Sequence, residues 1–221
     1  MPVKTIIKAS DTEVIVKVAG NDTANVTISL ATDLLPYTTI QDGVGNMTIT
    51  SGTTGVTATG LSAAVHVNAK IYTSGGTYVG TIQSVTNATT AVLAANALTG
   101  ISNAAFKISY AVQVVSGTPA ATIIGAQWAG EPGAVYRITR NSVRVMSLLA
   151  DNGNSIDFMG TIFPPDNINQ TSDIVVNIAD SVGTGAKQGE LWLRLRKVDG
   201  YVSKIDTAQF GIYDNVLVSG S

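Results

Sequence analysis

From residue 12 to residue 19, Val14, Val16 and Val18 alternate with Glu13, Ile15 and Lys17. A period of two places one set toward a core and the other toward solvent, so this segment predicts a half-buried strand. The pattern returns more legibly at 190–198, where Leu191, Leu193 and Leu195 share one face and Trp192, Arg194 and Arg196 the other. Segments 4–9 and 25–30 predict neighbours of the first strand, giving a small antiparallel meander over residues 1–35. Gly200 predicts a turn that leads the chain into 201–205.

Further strands are predicted at 135–139, 142–148, 156–159 and 172–178, separated by turn-rich pieces such as Asn152-Gly153 and Pro164-Pro165. Short strands at this spacing imply an all-β fold, a β-sandwich of jelly-roll or Ig-like type. The best helical candidate, 62–70, starts Ala-rich but reaches Val65, Val67 and Ile71 at strand spacing, so its second half reads as extended. No repeat of solenoid or propeller period is present.

Charge divides the chain further. Of 13 basic and 15 acidic residues, only Asp42, Lys70 and Lys107 fall between 36 and 118. That stretch has its own ladder of strands at 69–73, 78–85, 90–95 and 106–115, with a Ser74-Gly75-Gly76 turn. We therefore expect a discontinuous sandwich of residues 1–43 and 119–221, interrupted by a small inserted β-barrel or β-hairpin module at 44–118. Insertions of this kind occur at exposed turns.

Candidate chemistry is sparse. The chain has no cysteine and one histidine, His66, with no partner at triad spacing, so thiolate sites, disulfides and His-based nucleophilic catalysis are not expected. The loop 151–157 lacks the alternating acidic ligands and closing glutamate of a calcium loop. The Gly-rich pieces match neither a P-loop nor a dinucleotide fingerprint. No catalytic, metal or cofactor site is predicted. The near balance of charge argues against a nucleic-acid partner, and no apolar run suffices for a spanning helix. The first residues lack an export signal, which predicts assembly in a cytoplasm. What stands out is cationic and aromatic: Arg137, Arg140 and Arg144, with Trp192, Arg194 and Arg196, are the side chains that dominate protein interfaces, and they are the candidate contact residues. Trp128 and Trp192 are candidate platforms for stacking a sugar.

Residues 71–85, reading Ile71-Tyr72-Thr73-Ser74-Gly75-Gly76-Thr77-Tyr78-Val79-Gly80-Thr81-Ile82-Gln83-Ser84-Val85, with Ala91-Val92-Leu93-Ala94-Ala95-Asn96-Ala97 after them, resemble a small β-module of tailed-bacteriophage virion proteins. Segment 189–201 and the opening nine residues are similar to structural proteins of marine and cyanobacterial phages. The resemblance covers about half the chain and brings no functional residues with it. It implies a virion component made in the host cytoplasm. The expectation is a non-enzymatic capsid decoration, or cement, protein, present as a homo-oligomer on the particle and bound to the major capsid protein or other virion proteins. Extended termini and edge strands would pair with neighbouring subunits. A neck, tail or fibre-base part and a carbohydrate-binding host-surface module are the alternatives.

Overall fold

In the strand Glu13–Gly20, Val14, Val16 and Val18 are fully buried while the residues between them are half-exposed, so the period of two carries directly into the fold. The computed structural model describes residues 2–21, 23–150, 154–157, 169–182 and 185–204. In chain order its strands begin with β1 (Val3–Ala9), β2 (Glu13–Gly20), β3 (Asn25–Ile28), β4 (Gln41–Asp42), β5 (Met47–Ile49) and β6 (Gly55–Ala58). One helical turn, α1 (Ala63–His66), precedes β7 (Lys70–Thr73), β8 (Tyr78–Asn87), β9 (Thr90–Leu93), β10 (Ile101–Ala104) and β11 (Phe106–Ser109). The remainder are β12 (Gln113–Gly130), β13 (Ala134–Arg140), β14 (Val143–Leu149), β15 (Asn154–Asp157), β16 (Ile174–Asp180) and β17 (Gly189–Ser203). The fold is all-β, built from several antiparallel sheets. Residue 159, the end of one predicted strand, lies outside the described residues.

Two compact units divide the chain. The first comprises Met1–Leu35 and Val115–Tyr201, the second Pro36–Val114 and Val202–Ser221. These limits fall at 35/36 and 114/115, where charge density suggests 43/44 and 118/119.

The first unit holds a five-stranded sheet in the order β1-β2-β17-β12-β15 and a four-stranded sheet in the order β14-β13-β16-β3. Both turn apolar faces into one cluster. Val16, Leu191, Leu193 and Leu195 enter it from the larger sheet, and Ile28, Tyr136, Ile138, Val176 and Ile178 from the smaller. Burying a side chain of this size contributes about 1.5–3 kcal/mol, so this shared cluster is the main support of the unit. Of the expected meander over the first residues, β1 and β2 pair as an antiparallel hairpin but β3 does not join them. β3 pairs with β16, Val26 opposite Val176, because β2 already has β1 on one edge and β17 on the other. With no edge left, β3 buries Val26 and Ile28 from the second sheet.

Gly200 makes no turn. It lies within β17 at φ +77°, where a Cβ would come within 2.5 Å of the Thr118 carbonyl oxygen. Glycine is required there by close approach of another backbone.

The second unit holds an eight-stranded sheet in the order β10-β5-β6-β9-β8-β7-β11-β4, with β10 and β4 at its two ends and, among the described residues, no closure into a barrel. Its core gathers Met47, Ile49, Ile71, Val79, Ile82, Leu93, Phe106 and Ile108. The helical turn follows the Ala-rich start of 62–70 and ends at Val67, whose φ −60° and ψ 130° are extended, as the alternation predicts. Lys204 Nζ donates to the carbonyls of Val65 and Val67 at 2.8 and 2.7 Å and so satisfies acceptors left open at its C-terminal end.

Candidate functional site

The outward face of the five-stranded sheet is assembled by register. Along the β2–β17 pair Trp192 lies opposite Lys17, Arg194 opposite Ile15 and Arg196 opposite Glu13. Diagonal neighbours then pair by charge. Arg194 donates through Nε and Nη2 to the two carboxylate oxygens of Glu13, both at 3.1 Å, and Lys17 Nζ lies 2.8 Å from Glu190 Oε1. The Lys17 ammonium also stands 4.9 Å from the centre of the Trp192 ring. Exposed ion pairs of this type contribute at most about 1 kcal/mol each. Their effect here is to hold Trp192 and Arg194 in fixed orientations.

A β-bulge supplies the next wall. Register in β1 slips between Ile6 and Lys8, so Ile7 is the extra residue and reaches the outward face, where it lines the same concavity as Ile15. Across the sheet, Gly125, Ala126 and Gln127 of β12 and Ile156 and Asp157 of β15 complete a groove of about 370 Å³ with Trp192 and Arg194. Gly125 keeps its floor low, since a Cβ there would sit 3.2 Å from the Ile156 carbonyl oxygen and 3.7 Å from Arg194 Cβ. Asp157 approaches Arg194 Nη1 at 3.8 Å and stays largely exposed. The floor is aliphatic and aromatic and the rim is polar. An apolar floor with a polar rim is the arrangement that holds an apolar side chain.

The predicted contact residues do not form one cluster. Trp192 and Arg194 line the groove, and Arg196 is half-buried on the same strand. Arg137 and Arg144 belong to the four-stranded sheet, Arg137 between Ser147 and Asn177 and Arg144 opposite Thr139. Arg140 is fully buried on the core-facing side of β13, where Nη1 donates to the Asn169 carbonyl at 3.0 Å. It is not a surface contact in this fold. The reason is parity: Arg137 and Arg140 are three apart, and in a strand an odd spacing puts them on opposite faces.

Trp128 is also withdrawn from the surface, 8% exposed, with its Nε1–H donated to the Leu149 carbonyl at 2.9 Å. It offers no platform to a sugar. His66 is held inside its own turn, where the Ser62 N–H donates to Nδ1 at 3.0 Å and Tyr110 packs edge-on at 5.4 Å. Among the described residues no group of three or more metal-ligating side chains converges.

Sequence reasoning passed over Ile7, Glu13, Ile15, Gln127, Ile156 and Asp157 as parts of a site. One signal was available. Ile15 is a large aliphatic on the outward face of β2 between Glu13 and Lys17, and it gains meaning as part of a patch only with Ile7 and Ile156 beside it.

Further along β17, Lys197 Nζ donates to the Ser10 carbonyl at 2.7 Å and stands 5.1 Å from the Tyr201 ring centre. Burial lowers its pKa from 10.5 to about 8, against the opposing pull of Asp11. Below pH 8 the ammonium is charged in both folded and unfolded chains, and its desolvation opposes folding in full. Between about 8 and 10.5 the unfolded chain binds more protons, so this group's contribution to stability rises with pH. Denaturation midpoints of the native chain and Lys197→Met, measured from pH 7 upward, should therefore shift relative to each other in favour of the native chain across that window. A constant difference would remove Lys197 as the cause.

No protein-family model and no curated protein sequence matches this chain.

Proposed function

We propose that this chain is a non-enzymatic structural component of a tailed-bacteriophage virion, a capsid decoration protein that docks on the lattice of the major capsid protein. In this reading the first unit is a β-sandwich of jelly-roll or Ig-like type, and the second is an inserted β-module. The observation that carries it is the groove on the outward face of the five-stranded sheet, where exposed Ile7 and Ile156 and half-buried Ile15 and Trp192 lie beside a pre-ordered Glu13–Arg194 pair. A tryptophan and an arginine held in place beside an aliphatic floor are the ingredients of an interface hot spot, and fixing them in advance lowers the entropy cost of docking.

Docking by a face replaces the edge pairing that extended strands suggest. β1 is an edge strand, but it carries Lys4, Lys8 and a bulge, the devices that discourage addition of a further strand. Many copies on one particle would multiply a modest single-site affinity.

Mass spectrometry of purified particles tests the assignment: a decoration protein is present in hundreds of copies, and a copy number of a few would move it to the neck or tail. Trp192→Ala is expected to lower occupancy on the particle about tenfold or more, while Arg137→Ala on the other sheet leaves it unchanged. Full occupancy of the Trp192→Ala protein would remove this face as the contact.

A further inference from the structure

The stretch 36–118 is almost free of charge, yet its three charged side chains are not scattered. Asp42, Lys107, Tyr72 and Tyr78 form one row across β4, β11, β7 and β8, each opposite the next in register. Lys70 and Thr81, also opposite each other, stand two residues along β7 on the same side. The alternate residues Ile71, Phe106 and Ile108 turn into the core, so the row belongs to the outward face. All three charged residues of the stretch 36–118 are therefore on this face, together with two of its tyrosines. A third, Tyr37, has the Lys70 ammonium 3.8 Å from its ring centre.

The aromatic part is a corner. The rings of Tyr72 and Tyr78 stand 5.7 Å apart at 64°, so one presents a face and the other an edge. Tyr78 is 39% exposed, and its hydroxyl lies 2.8 Å from Thr81 Oγ1. The corner is stiffened by the tight β7–β8 turn, in which the Thr73 N–H donates to the Thr77 carbonyl at 2.9 Å and the Thr77 N–H to Thr73 Oγ1 at 3.1 Å.

We propose that this face binds a neutral polysaccharide, with one pyranose ring seated in the Tyr72–Tyr78 corner beside Thr81 and the sugars that follow it along the row meeting Lys107 and then Asp42. A pyranose has an apolar C–H face and a hydrophilic rim, and the row offers both in that order: aromatic surface first, then a cation and a carboxylate. The same surface suits other polymers less well. Single-stranded nucleic acid requires a positive track beside its stacking rings, and here Asp42 stands opposite Lys107 while Lys70 is already placed over Tyr37. A protein interface requires a desolvated apolar centre, and the row carries no aliphatic side chain. The site is separate from the groove of the first unit, and it does not depend on the chain being a virion part.

Native gel electrophoresis of the full chain, in gels cast with mannan, dextran or galactan, tests the proposal. Mobility is expected to fall in at least one of the three. Tyr72→Ala and Tyr78→Ala should weaken that retardation about tenfold or more, whereas Tyr78→Phe, which keeps the ring, retains it. Amide shifts of the unmodified chain, titrated with oligosaccharides cut from the retarding polymer, should concentrate at Tyr72, Tyr78, Thr81 and Lys107. That reading holds even if an alanine variant fails to fold. Unchanged mobility in all three gels, retardation that survives both alanine variants with the fold intact, or tighter binding of a thymidine oligonucleotide would each overturn it. Since the isolated chain is used, failure here leaves the particle experiments unaffected, and the reverse also holds.

Discussion

Replacing Gly200 by alanine is expected to lower the stability of the first unit by roughly 2–5 kcal/mol, through left-handed backbone strain of about 1–2 and overpacking of about 1–3 kcal/mol. The added Cβ would stand 2.5 Å from the Thr118 carbonyl oxygen and 2.6 Å from Pro119 Cα. Both are backbone atoms of β12, so neither can rotate away. Gly117 separates the two causes, because at φ +89° it has the same backbone sign but nothing within 4 Å of the point where a Cβ would stand. Gly117→Ala should therefore cost only the first part, about 1–2 kcal/mol. Urea denaturation of the two variants gives the comparison, and equal losses would show that close packing at Gly200 contributes nothing.

Leu193→Ala is expected to cost about 2–5 kcal/mol, the range for truncating a buried leucine. Leu193 is fully buried in the cluster shared by both sheets of the first unit. Its neighbour Arg194 faces outward, with 44% of its side chain exposed in the pair with Glu13, and Arg194→Ala should cost less than about 1 kcal/mol. Two adjacent positions thus differ severalfold in their effect on folding. Denaturation midpoints check this, and a small loss for Leu193→Ala would mean that the two sheets do not rely on a common core.

These two residues also show why part of the fold is legible in the sequence. β2 and β17 have one wet face and one dry face, so their alternation is written plainly in Val14-Ile15-Val16 and Leu193-Arg194-Leu195. β12 is the opposite case. Residues 120–126 are all buried, which erases the alternation, and Gly117, Pro119 and Gly125 within the strand look like punctuation. A boundary placed at Pro119 therefore cuts the longest strand among the described residues. Pairing partners are less legible still. Nothing local in 25–28 says that Val26 will face Val176 rather than a residue of β2.

The same distinction governs the sites. Trp192 and Arg194 could be recognised because a single strand displays them, and the parity that hides Arg140 could have been counted. Ile7 depends on a bulge, Ile156 on a pairing with Ala126 thirty residues before it in the chain, and Asp42 on a pairing with Lys107. The Tyr72–Tyr78 corner lies between these cases. Its turn is readable in Ser74-Gly75-Gly76, but the one-residue slip that brings Tyr78 opposite Tyr72 is not.

Residues 36–38 and 110–112 of the second unit run side by side. The Val112 N–H donates to the Pro36 carbonyl at 3.0 Å, Thr38 N–H to that of Tyr110 at 2.9 Å, and Tyr37 bridges Ala111 between them. The stretch between them is a loop with both ends already joined, and the chain returns to this clasp at Lys204, whose N–H donates to the Val112 carbonyl at 2.8 Å. Closure entropy grows only by about 0.6 kcal/mol for each doubling of loop length, so the length of this loop adds little to the cost of closing it. Such a clasp tolerates insertion or deletion between its two strands at little entropic cost.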